Sequence, residues 1–257
     1  MSRMLWRTGC FALFILFSGC TTHSSKSLLK QILTDRKKWI ETPGKRIVMY
    51  RHKNPDYPVP APASLSRLDS AAMNALEFTG ELNYSRPIRI IVTPDMAGIK
   101  DLTGKTTNGI AFPKENLIVE MDGVTGACHE ILHLIGTNSW GKPKAWISEG
   151  MAVYCDDNWW GYDLHALARY LQLNRKLTPL KALIRDKGFH SIDPRYSYPQ
   201  AGSMVRFIDQ QYGRQKLIKL WQTNDFSASL GKTAEEIEIA WLNVIEDTSA
   251  EGIRYPE

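Results

Sequence analysis

The sequence predicts an α+β fold, with a small mixed sheet at the N-terminal end followed by a mostly helical C-terminal half. Three observations lead to this prediction. Short β-branched and aromatic runs, bounded by proline and glycine, are confined to the first half of the chain. Apolar residues at helical spacing recur through the second half. Between the two halves lies a helical segment, 124–154, that contains two histidines and two glutamates.

The elements of both halves follow from residue spacing. In the first half they are a helix over 28–40, a strand over 46–51, a proline-rich loop over 52–62, a helix over 65–82, a strand over 87–92 and a hairpin over 106–122. In the second half they are helices over 162–173, 179–187, 198–212, 215–221 and 234–245. His52 lies in the proline-rich loop and is expected to be solvated.

Residues 1–19 have the features of a bacterial export signal. Arg3 and Arg7 form a basic start, and the apolar run over 10–17 is too short to span a bilayer. The segment FSGC, which ends at Cys20, resembles a lipobox, in which the chain is cut before a cysteine that is then lipidated. An ordinary secretory signal cut nearby is the alternative.

This resemblance to a lipoprotein implies a lipid anchor on Cys20 and a location in the bacterial cell envelope. Thr21, in place of an aspartate after the cysteine, resembles the sorting pattern of outer-membrane lipoproteins that face the periplasm. Residues 20–27 are then a polar tether, and residues 28–257 form a single domain.

Composition argues against several classes of protein. The 257 residues carry a mild net charge of +5 and are 43% hydrophobic, which is usual for a soluble globular domain. Lysine and arginine are dispersed, with no basic stripe between aromatic residues, so a nucleic-acid partner is not expected. The sequence contains no G-x-S-x-G elbow, phosphate-binding loop or dinucleotide fingerprint.

The segment HEILH, from His129 to His133, matches the pattern H-E-x-x-H. Residues four apart lie on one face of a helix, so both histidines can direct an imidazole nitrogen at one metal ion. Glu130 lies about 100° round the helix, which is too far for a ligand but close enough to reach a water molecule beside the metal. The other residues are apolar, so the helix is expected to be buried and to end at Gly136. Buried charge needs a compensating partner, and a metal supplies one.

A catalytic zinc ion usually has three protein ligands. A third histidine at the spacing of the metzincin pattern is excluded, because Ser139 occupies that position. The candidate is Glu149, near the start of a second helix, where Gly150 lets two helices approach closely. Asp156 and Asp157 are the next carboxylates if Glu149 is not the ligand.

The segment HEILH, followed by WISEGMAVY around Glu149, resembles the gluzincin metallopeptidases, and especially the peptidase MA-like bacterial families. A third segment, YPQAGSMVRFI over 198–208, is similar to a helix of the same families. The matches together cover about 107–213. The interval between His133 and Glu149 is shorter than in thermolysin-like enzymes, so a substrate cleft of that type is not implied.

The resemblance implies a zinc-dependent peptidase in which His129, His133 and Glu149 bind Zn²⁺. Glu130 is then the general base, which accepts a proton from the attacking water and passes it to the leaving amine. A strand beside the metal helix, either 109–112 or 117–120, is implied to bind the substrate backbone by strand addition, with ordinary sheet core as the alternative.

The oxyanion formed in such a reaction needs a further hydrogen-bond donor. Tyr198, at the head of the third segment, is expected to supply it, with Tyr196 and His190 as alternatives. A packed aromatic with a structural hydrogen bond is an equally open reading of Tyr198. His165, at the start of a predicted helix, is expected to be structural or solvated.

Two cysteines accompany the predicted metal site. Cys128 precedes the first histidine of the motif, and Cys155 lies on the helix of Glu149. In an oxidising compartment a disulfide between them would join the two metal-bearing helices. Two buried free thiols are the alternative, because geometry and not spacing decides.

Three classes of function remain open. They are a zinc peptidase acting on a peptide or protein substrate, a zinc amidase acting on cell-wall peptides, and a non-catalytic lipoprotein that uses the fold as a binding module. The presence of Glu130 weighs against the third class. The sequence leaves the substrate, the choice between endo- and exopeptidase and the oligomeric state undetermined.

Overall fold

A mixed sheet forms the N-terminal layer of the protein. The computed structural model describes residues 24–54, 62–123 and 127–256, and within them five strands form one sheet. The strands are β1 (Trp39–Pro43), β2 (Ile47–His52), β3 (Ile88–Thr93), β4 (Gly109–Phe112) and β5 (Leu117–Met121). Their spatial order is β1-β2-β3-β5-β4, so β4 lies at an edge although it precedes β5 in the chain.

The sheet is parallel at its centre and antiparallel at both edges. Strands β2, β3 and β5 run parallel, whereas β1 pairs with β2, and β4 with β5, in the antiparallel sense. The predicted hairpin is confirmed, with Ala111 opposite Ile118. A short 3-10 turn, Pro113–Glu115, and Asn116 in the left-handed region join its strands.

Helices cover both faces of the sheet. The early helices are α1 (Ser25–Thr34), α2 (Pro62–Thr79) and α3 (Met96–Thr103). Successive residues of β3 point to opposite faces. Ile91 belongs to one buried cluster with Leu28 of α1 and Ile99 of α3, and Ile90 belongs to another with Leu76 of α2.

Two helices lie between the sheet and the C-terminal half. Helix α4 (Ala127–Trp140) carries HEILH, and α5 (Ala145–Asp156) carries Glu149. Ile131 of α4 packs in the cluster shared with α2 and the sheet, whereas Leu132 packs with α5 and the later helices. The motif therefore lies in the interior, where the two layers meet.

The C-terminal half consists of packed helices around a tryptophan-rich core. They are α6 (Leu164–Leu173), α7 (Leu180–Leu183), α8 (Asp186–Phe189), α9 (Pro194–Tyr212), α10 (Arg214–Thr223), α11 (Phe226–Leu230) and α12 (Ala234–Glu246). Trp146, Trp221 and Trp241 are almost fully buried in this core. The predicted α+β class, with a small mixed sheet and a mostly helical remainder, is confirmed.

The predicted helix over 28–40 was wrong at its C-terminal end. Helix α1 ends at Thr34, and Asp35 leaves the helical region with ψ 62°. Trp39 and Ile40 then pair opposite His52 and Arg51 as part of β1. Aromatic and β-branched residues favour strands, and the available partner β2 decides between the two patterns.

The prediction that the helix carrying HEILH ends at Gly136 was also wrong. Helix α4 continues to Trp140, and the glycine with positive φ is Gly141, at 89°. A Cβ on Gly136 would lie 3.2 Å from the Trp221 ring. Gly136 therefore provides room for a core side chain and does not end the helix.

The predicted export signal and Cys20 lie outside the described residues. Helix α1 begins at Ser25, within the predicted tether, and the Ser24 side chain caps it by accepting a hydrogen bond from the Ser27 amide. Among the helices described, none combines the length and apolarity needed to cross a membrane.

Candidate metal centre

The two histidines of α4 and the glutamate of α5 meet at one point. His129 Nε2 lies 3.2 Å from Glu149 Oε2, and His133 Nε2 lies 3.3 Å from the same oxygen. One ligand atom from each residue lies within 4.8 Å of the other two. The side chains are 12%, 16% and 14% exposed for His129, His133 and Glu149, so they are enclosed but reachable from solvent.

This set of donors fits a zinc ion. Zinc ligands lie about 2.0–2.2 Å from the ion, so two of them at a tetrahedral angle are roughly 3.4 Å apart. The two imidazole–carboxylate separations, 3.2 and 3.3 Å, agree with that value. Two imidazole nitrogens and one carboxylate oxygen leave a fourth position open, as in catalytic zinc sites.

Ser148 orients His133. Its Oγ lies 3.0 Å from His133 Nδ1. In the tautomer in which Nδ1–H donates to the hydroxyl, Nε2 keeps its lone pair and faces Glu149. Sequence reasoning missed this contact, because position along a helix does not reveal which ring on a neighbouring helix a serine meets.

The three predicted ligands also form a charged network among themselves. Burial opposes protonation of His129, but the hydrogen bond and negative charge of Glu149 outweigh it and raise the pKa of His129 to about 9. Burial also opposes ionisation of Glu149, but His133 and His129 hold the pKa of its carboxyl well below its usual range. Glu149 is therefore an anion. Its charge stabilises either the protonated histidines or a metal cation bound between them.

Glu130 lies between the predicted metal ligands and the edge strand β4, and it is 8% exposed. Its carboxylate accepts a hydrogen bond from the Ala111 amide. A Cβ on Gly109 would lie 2.8 Å from Glu130 Cγ, so glycine leaves room for this side chain. Burial, opposed by the charges of His133 and His129, raises the pKa of Glu130. A carboxyl group with a raised pKa is better suited to accept a proton near neutral pH.

Tyr198, on α9, packs against the same group of side chains. Its ring stacks on His129 with centroids 6.4 Å apart and planes 13° apart. Its hydroxyl hydrogen-bonds the Glu149 side chain, and it is 4% exposed. Burial and then the charges of Glu149 and Glu130 raise the pKa of Tyr198 well above its usual range. The hydroxyl therefore stays protonated and can donate a hydrogen bond.

The alternatives to Tyr198 lie elsewhere. Tyr196 packs in a separate aromatic cluster, and His190 is exposed after α8. His165 is buried, with Nδ1 2.8 Å from Ser203 Oγ, inside the C-terminal core. Of these side chains, Tyr198 is the one that faces the predicted ligands.

The outer edge of β4 lies beside Glu130. The Asn108 carbonyl accepts a hydrogen bond from the Met121 amide at 2.9 Å, and bonded and non-bonded pairs alternate along an antiparallel ladder. Gly109 and Ala111 therefore direct their backbone groups away from β5, on the side where Ala111 donates to Glu130. On this side the Gly109 carbonyl accepts a hydrogen bond from Thr107 Oγ1 at 2.8 Å. Of the two strands proposed for substrate binding, β4 is the edge strand of the described sheet, whereas β5 is paired on both sides.

Asn138 ties the hairpin to α4. Its Nδ2 donates to the Pro113 carbonyl at 2.9 Å and to the Tyr84 hydroxyl at 2.9 Å. The Tyr84 hydroxyl in turn donates to the Asn116 side chain in the hairpin turn. These bonds hold β4 at a fixed position relative to the helix of Glu130.

Cys128 and Cys155 are joined by a disulfide, with Cα atoms 5.8 Å apart. The bridge links α4, next to His129, to the C-terminal end of α5. Asp156 accepts a hydrogen bond from the Cys128 amide at 3.2 Å, and burial raises the pKa of Asp156 to about 6. Asp157 is exposed. Neither aspartate belongs to the group that could hold a metal.

Helices α5 and α9 approach closely at Gly150. A Cβ there would lie 2.7 Å from the Ala201 carbonyl oxygen and 2.7 Å from Val205 Cγ2. The close approach predicted from Gly150 is present, but it is made with α9 and not with α4. It brings the helix of Tyr198 against the helix of Glu149.

A second buried carboxylate lies near Glu130. Glu120 of β5 is 1% exposed and pairs with Arg67 of α2 at 3.2 Å. Burial outweighs the charge of Arg67 and raises the pKa of Glu120 to about 7. Sequence reasoning missed this pair, because its members are 53 residues apart and leave no local pattern.

Comparison with known proteins adds little to this picture. No protein family and no curated protein sequence matches the chain. Among solved structures, the chain is similar to an M1 zinc metallopeptidase mutant from Deinococcus radiodurans, at 13% identity and a TM-score of 0.47, over 85% of this chain and 53% of that one. The chain thus spans about half the length of the solved chain it matches. A likeness of this degree carries no functional argument, so the assignment rests on the geometry of the site.

Proposed function

We propose that this protein is a zinc-dependent peptidase of the gluzincin type, with His129, His133 and Glu149 as the zinc ligands. One observation carries the proposal: these three side chains converge at one point, beside Glu130 and Tyr198. Two imidazoles and a carboxylate at one point, with a second carboxylate beside them, are the groups that a catalytic zinc site with a general base requires.

Each residue of the cleft has a role in this proposal. A bound zinc ion would polarise the scissile carbonyl and lower the pKa of a water molecule. Glu130 accepts a proton from the attacking water and delivers it to the leaving amine, and its raised pKa suits both transfers. Tyr198 exchanges its hydrogen bond to Glu149 for one donated to the oxyanion.

The substrate in this proposal is an extended peptide that adds to the open edge of β4. Backbone groups of Gly109 and Ala111 point away from β5, and strand addition to a sheet edge is a recurring mode of peptide recognition. A bound peptide would replace the hydrogen bonds that Thr107 Oγ1 makes to Gly109 and that Glu130 makes to Ala111. Because Glu130 touches this edge, a peptide bound there places its backbone beside the general base.

We further propose that a lipid on Cys20 anchors the protein to the outer membrane, facing the periplasm. The support is the N-terminal pattern of basic, apolar and FSGC segments. Cys20→Ala should move the protein from the membrane fraction to the soluble periplasm. A variant that still requires detergent for extraction would contradict the anchor.

A digest tests the activity. Zinc-loaded protein is incubated with a peptide library and with cell-wall peptides, beside a Glu130→Gln control. The wild-type protein should cleave peptides, and Glu130→Gln should keep its zinc and its melting temperature but lose nearly all hydrolysis.

Other outcomes separate the alternatives. Equal cleavage by the wild-type protein and Glu130→Gln would contradict the assigned base. Cleavage confined to cell-wall peptides would favour the amidase. A zinc-loaded protein that cleaves neither substrate would favour the non-catalytic binding module.

A further inference from the structure

An exposed tryptophan, Trp160, lies in the connection between α5 and α6. It is 48% exposed, whereas the other exposed large apolar residues described are aliphatic. Its φ is +55°, in the left-handed region that suits glycine and asparagine and is costly for a bulky residue. Such backbone strain is found preferentially at functional sites, which directs attention to what the indole contacts.

The turn that carries Trp160 is held firmly. Trp159 and Tyr162 exchange two backbone hydrogen bonds of 3.0 Å across it. Asn158 Oδ1 accepts a hydrogen bond from the Gly161 amide at 3.1 Å. The indole of Trp160 is therefore presented by a rigid support and not by a loose loop.

Aromatic contacts connect Trp160 to the predicted metal ligands. Its ring stacks on Trp159 at 5.8 Å and 16° and leans on Tyr255 at 5.3 Å. Trp159 contacts Tyr198 at 5.5 Å, and Tyr198 stacks on His129 at 6.4 Å. A continuous series of rings thus extends from the site of chemistry to the exposed indole.

Trp159 is itself fixed in this series. Its Nε1 donates to the Tyr255 hydroxyl at 2.7 Å, and that hydroxyl donates to the Arg195 carbonyl at 2.6 Å. The two rings behind Trp160 therefore have their polar atoms satisfied within the protein. Trp160, the outermost ring of the series, is the one that is exposed.

We propose that Trp160, supported by Trp159 and Tyr255, forms an aromatic shelf that binds a large apolar side chain of the peptide substrate. This inference rests on the proposed peptidase function and deepens it, because it makes Trp160 a residue that determines specificity.

The chemistry of the shelf selects its ligand. Stacked indoles offer a large apolar surface, and aromatic side chains gain most from contact with it. Asp157 and Asp163, the acidic residues of the same connection, both pair with Arg206, at 3.7 and 2.6 Å, so part of their charge is compensated. The rings from His129 to Trp160 follow one another at centroid distances of 6.4, 5.5 and 5.8 Å. Because an extended peptide advances about 3.3–3.6 Å per residue, a side chain within about five residues of the scissile bond can span this distance.

The test compares peptides that carry phenylalanine or alanine at each of the five positions on either side of the cleaved bond. Trp160→Asn removes the ring and suits the left-handed backbone, so it should fold. At one of these positions Trp160→Asn should lower kcat/KM for the phenylalanine peptide about tenfold, mainly by raising KM, and should leave kcat/KM for the alanine peptide unchanged.

Two further variants are controls. Trp160→Phe should retain most of the preference for phenylalanine over alanine. Leu33→Ala, on α1 at the opposite face of the sheet, is the control for loss of an exposed apolar side chain.

A binding measurement separates this inference from the proposed activity. Glu130→Gln with and without Trp160→Asn is titrated with labelled phenylalanine and alanine peptides, which requires no turnover. About tenfold weaker binding of the phenylalanine peptide alone supports the shelf even if the protein hydrolyses nothing. Equal effects of Trp160→Asn on both peptides at every position, or no effect with normal melting, would overturn it.

Discussion

At the scale of single residues, the pKa values of two neighbouring carboxyl groups, Glu149 and Glu130, are shifted in opposite directions. The pKa of Glu149 is held below its usual range by two histidines, whereas burial raises that of Glu130. Glu149 is thus a permanent anion suited to hold a cation, and Glu130 is a group that can take up and release a proton. Their positions on different helices, and not their chemistry, assign these roles.

The tyrosine hydroxyl is the next residue-scale test. Tyr198→Phe removes the donor but keeps the ring that stacks on His129. Removal of one oxyanion donor typically lowers kcat about 10²–10³-fold, so hydrolysis should fall by that factor while KM and zinc content change little. Steady-state kinetics with zinc analysis would check this. Tyr196→Phe, in the separate cluster, should leave kcat unchanged. An equal loss of kcat in both variants would contradict the assignment of Tyr198 as the donor.

Metal affinity should depend on pH through His129. The pKa of His129 is raised to about 9, and a metal binds only the unprotonated nitrogen. Below pH 9 the metal must displace a proton, so affinity should rise about tenfold per pH unit from pH 7 and level off above pH 9. Glu149 is already ionised and adds no slope there. Zinc competition with a chelator of known affinity measures this, and a flat profile between pH 7 and 9 would contradict it.

At the scale of elements, the contact between α5 and α9 sets the shape of the cleft. Gly150→Ala would place a methyl group 2.7 Å from the Ala201 carbonyl, which is backbone and cannot turn aside. Overpacking of this kind costs about 1–3 kcal/mol and outweighs the roughly 0.5–1 kcal/mol that alanine gains over glycine in a helix. Urea unfolding should therefore show a net loss of stability and reduced zinc binding.

Gly136→Ala is the matched comparison within α4. Its Cβ would meet the edge of the Trp221 ring at 3.2 Å, a side chain that can shift slightly. The variant should be close to neutral in the same urea experiment. If Gly150→Ala proved as mild as Gly136→Ala, the tight packing of α5 on α9 would be contradicted.

The disulfide is a second element-scale feature. Cys128 and Cys155 close a loop with a sequence separation of 27 residues, for which a stabilisation of about 3 kcal/mol is typical. The double variant Cys128→Ser, Cys155→Ser should lose about that much free energy of unfolding and bind zinc more weakly. A non-reduced digest of wild-type protein analysed by mass spectrometry should contain the linked peptides. Two free thiols in native protein would exclude the bridge.

The sequence predicted the helix of HEILH and the hairpin correctly, because the spacing of neighbouring residues determines both. His129 and His133 are one helical turn apart, so their shared face follows from sequence, and the hairpin follows from two β-rich runs around a turn. Trp39 and Ile40 were assigned wrongly, because apolar spacing over so few residues fits a helix and a strand equally. Gly136 was wrongly predicted to end its helix. In sequence alone, a glycine that leaves room for the Trp221 ring cannot be distinguished from a glycine that ends a helix.

Contacts between residues far apart in the chain could not be predicted from local sequence patterns. The resemblance to gluzincins pointed to Tyr198, but its stacking on His129 depends on how α9 packs on α5. Ser148 beside His133, the Glu120–Arg67 pair and the exposed Trp160 left no signal in the sequence. Each depends on tertiary packing or on a backbone conformation that residue type disfavours.

At the scale of the whole molecule, the site lies where the sheet layer meets the helical half. Helix α4 contributes to the cores on both sides, through Ile131 and Leu132. A metal held by His129 and His133 of α4 and by Glu149 of α5 would link elements throughout the domain. Binding of a metal at such a junction is coupled to folding, so removal of a ligand should lower metal content and stability together.

The measurement that tests the central claim most directly is zinc content with thermal melting of purified variants. Wild-type protein and Glu130→Gln should each hold about one zinc per chain, and a chelator should lower the melting temperature of both. His129→Ala, His133→Ala and Glu149→Ala should each lose zinc and melt early, with little further effect of chelator. If Glu149→Ala kept one zinc per chain and melted like the wild-type protein, the third ligand would lie elsewhere and the gluzincin assignment would be contradicted.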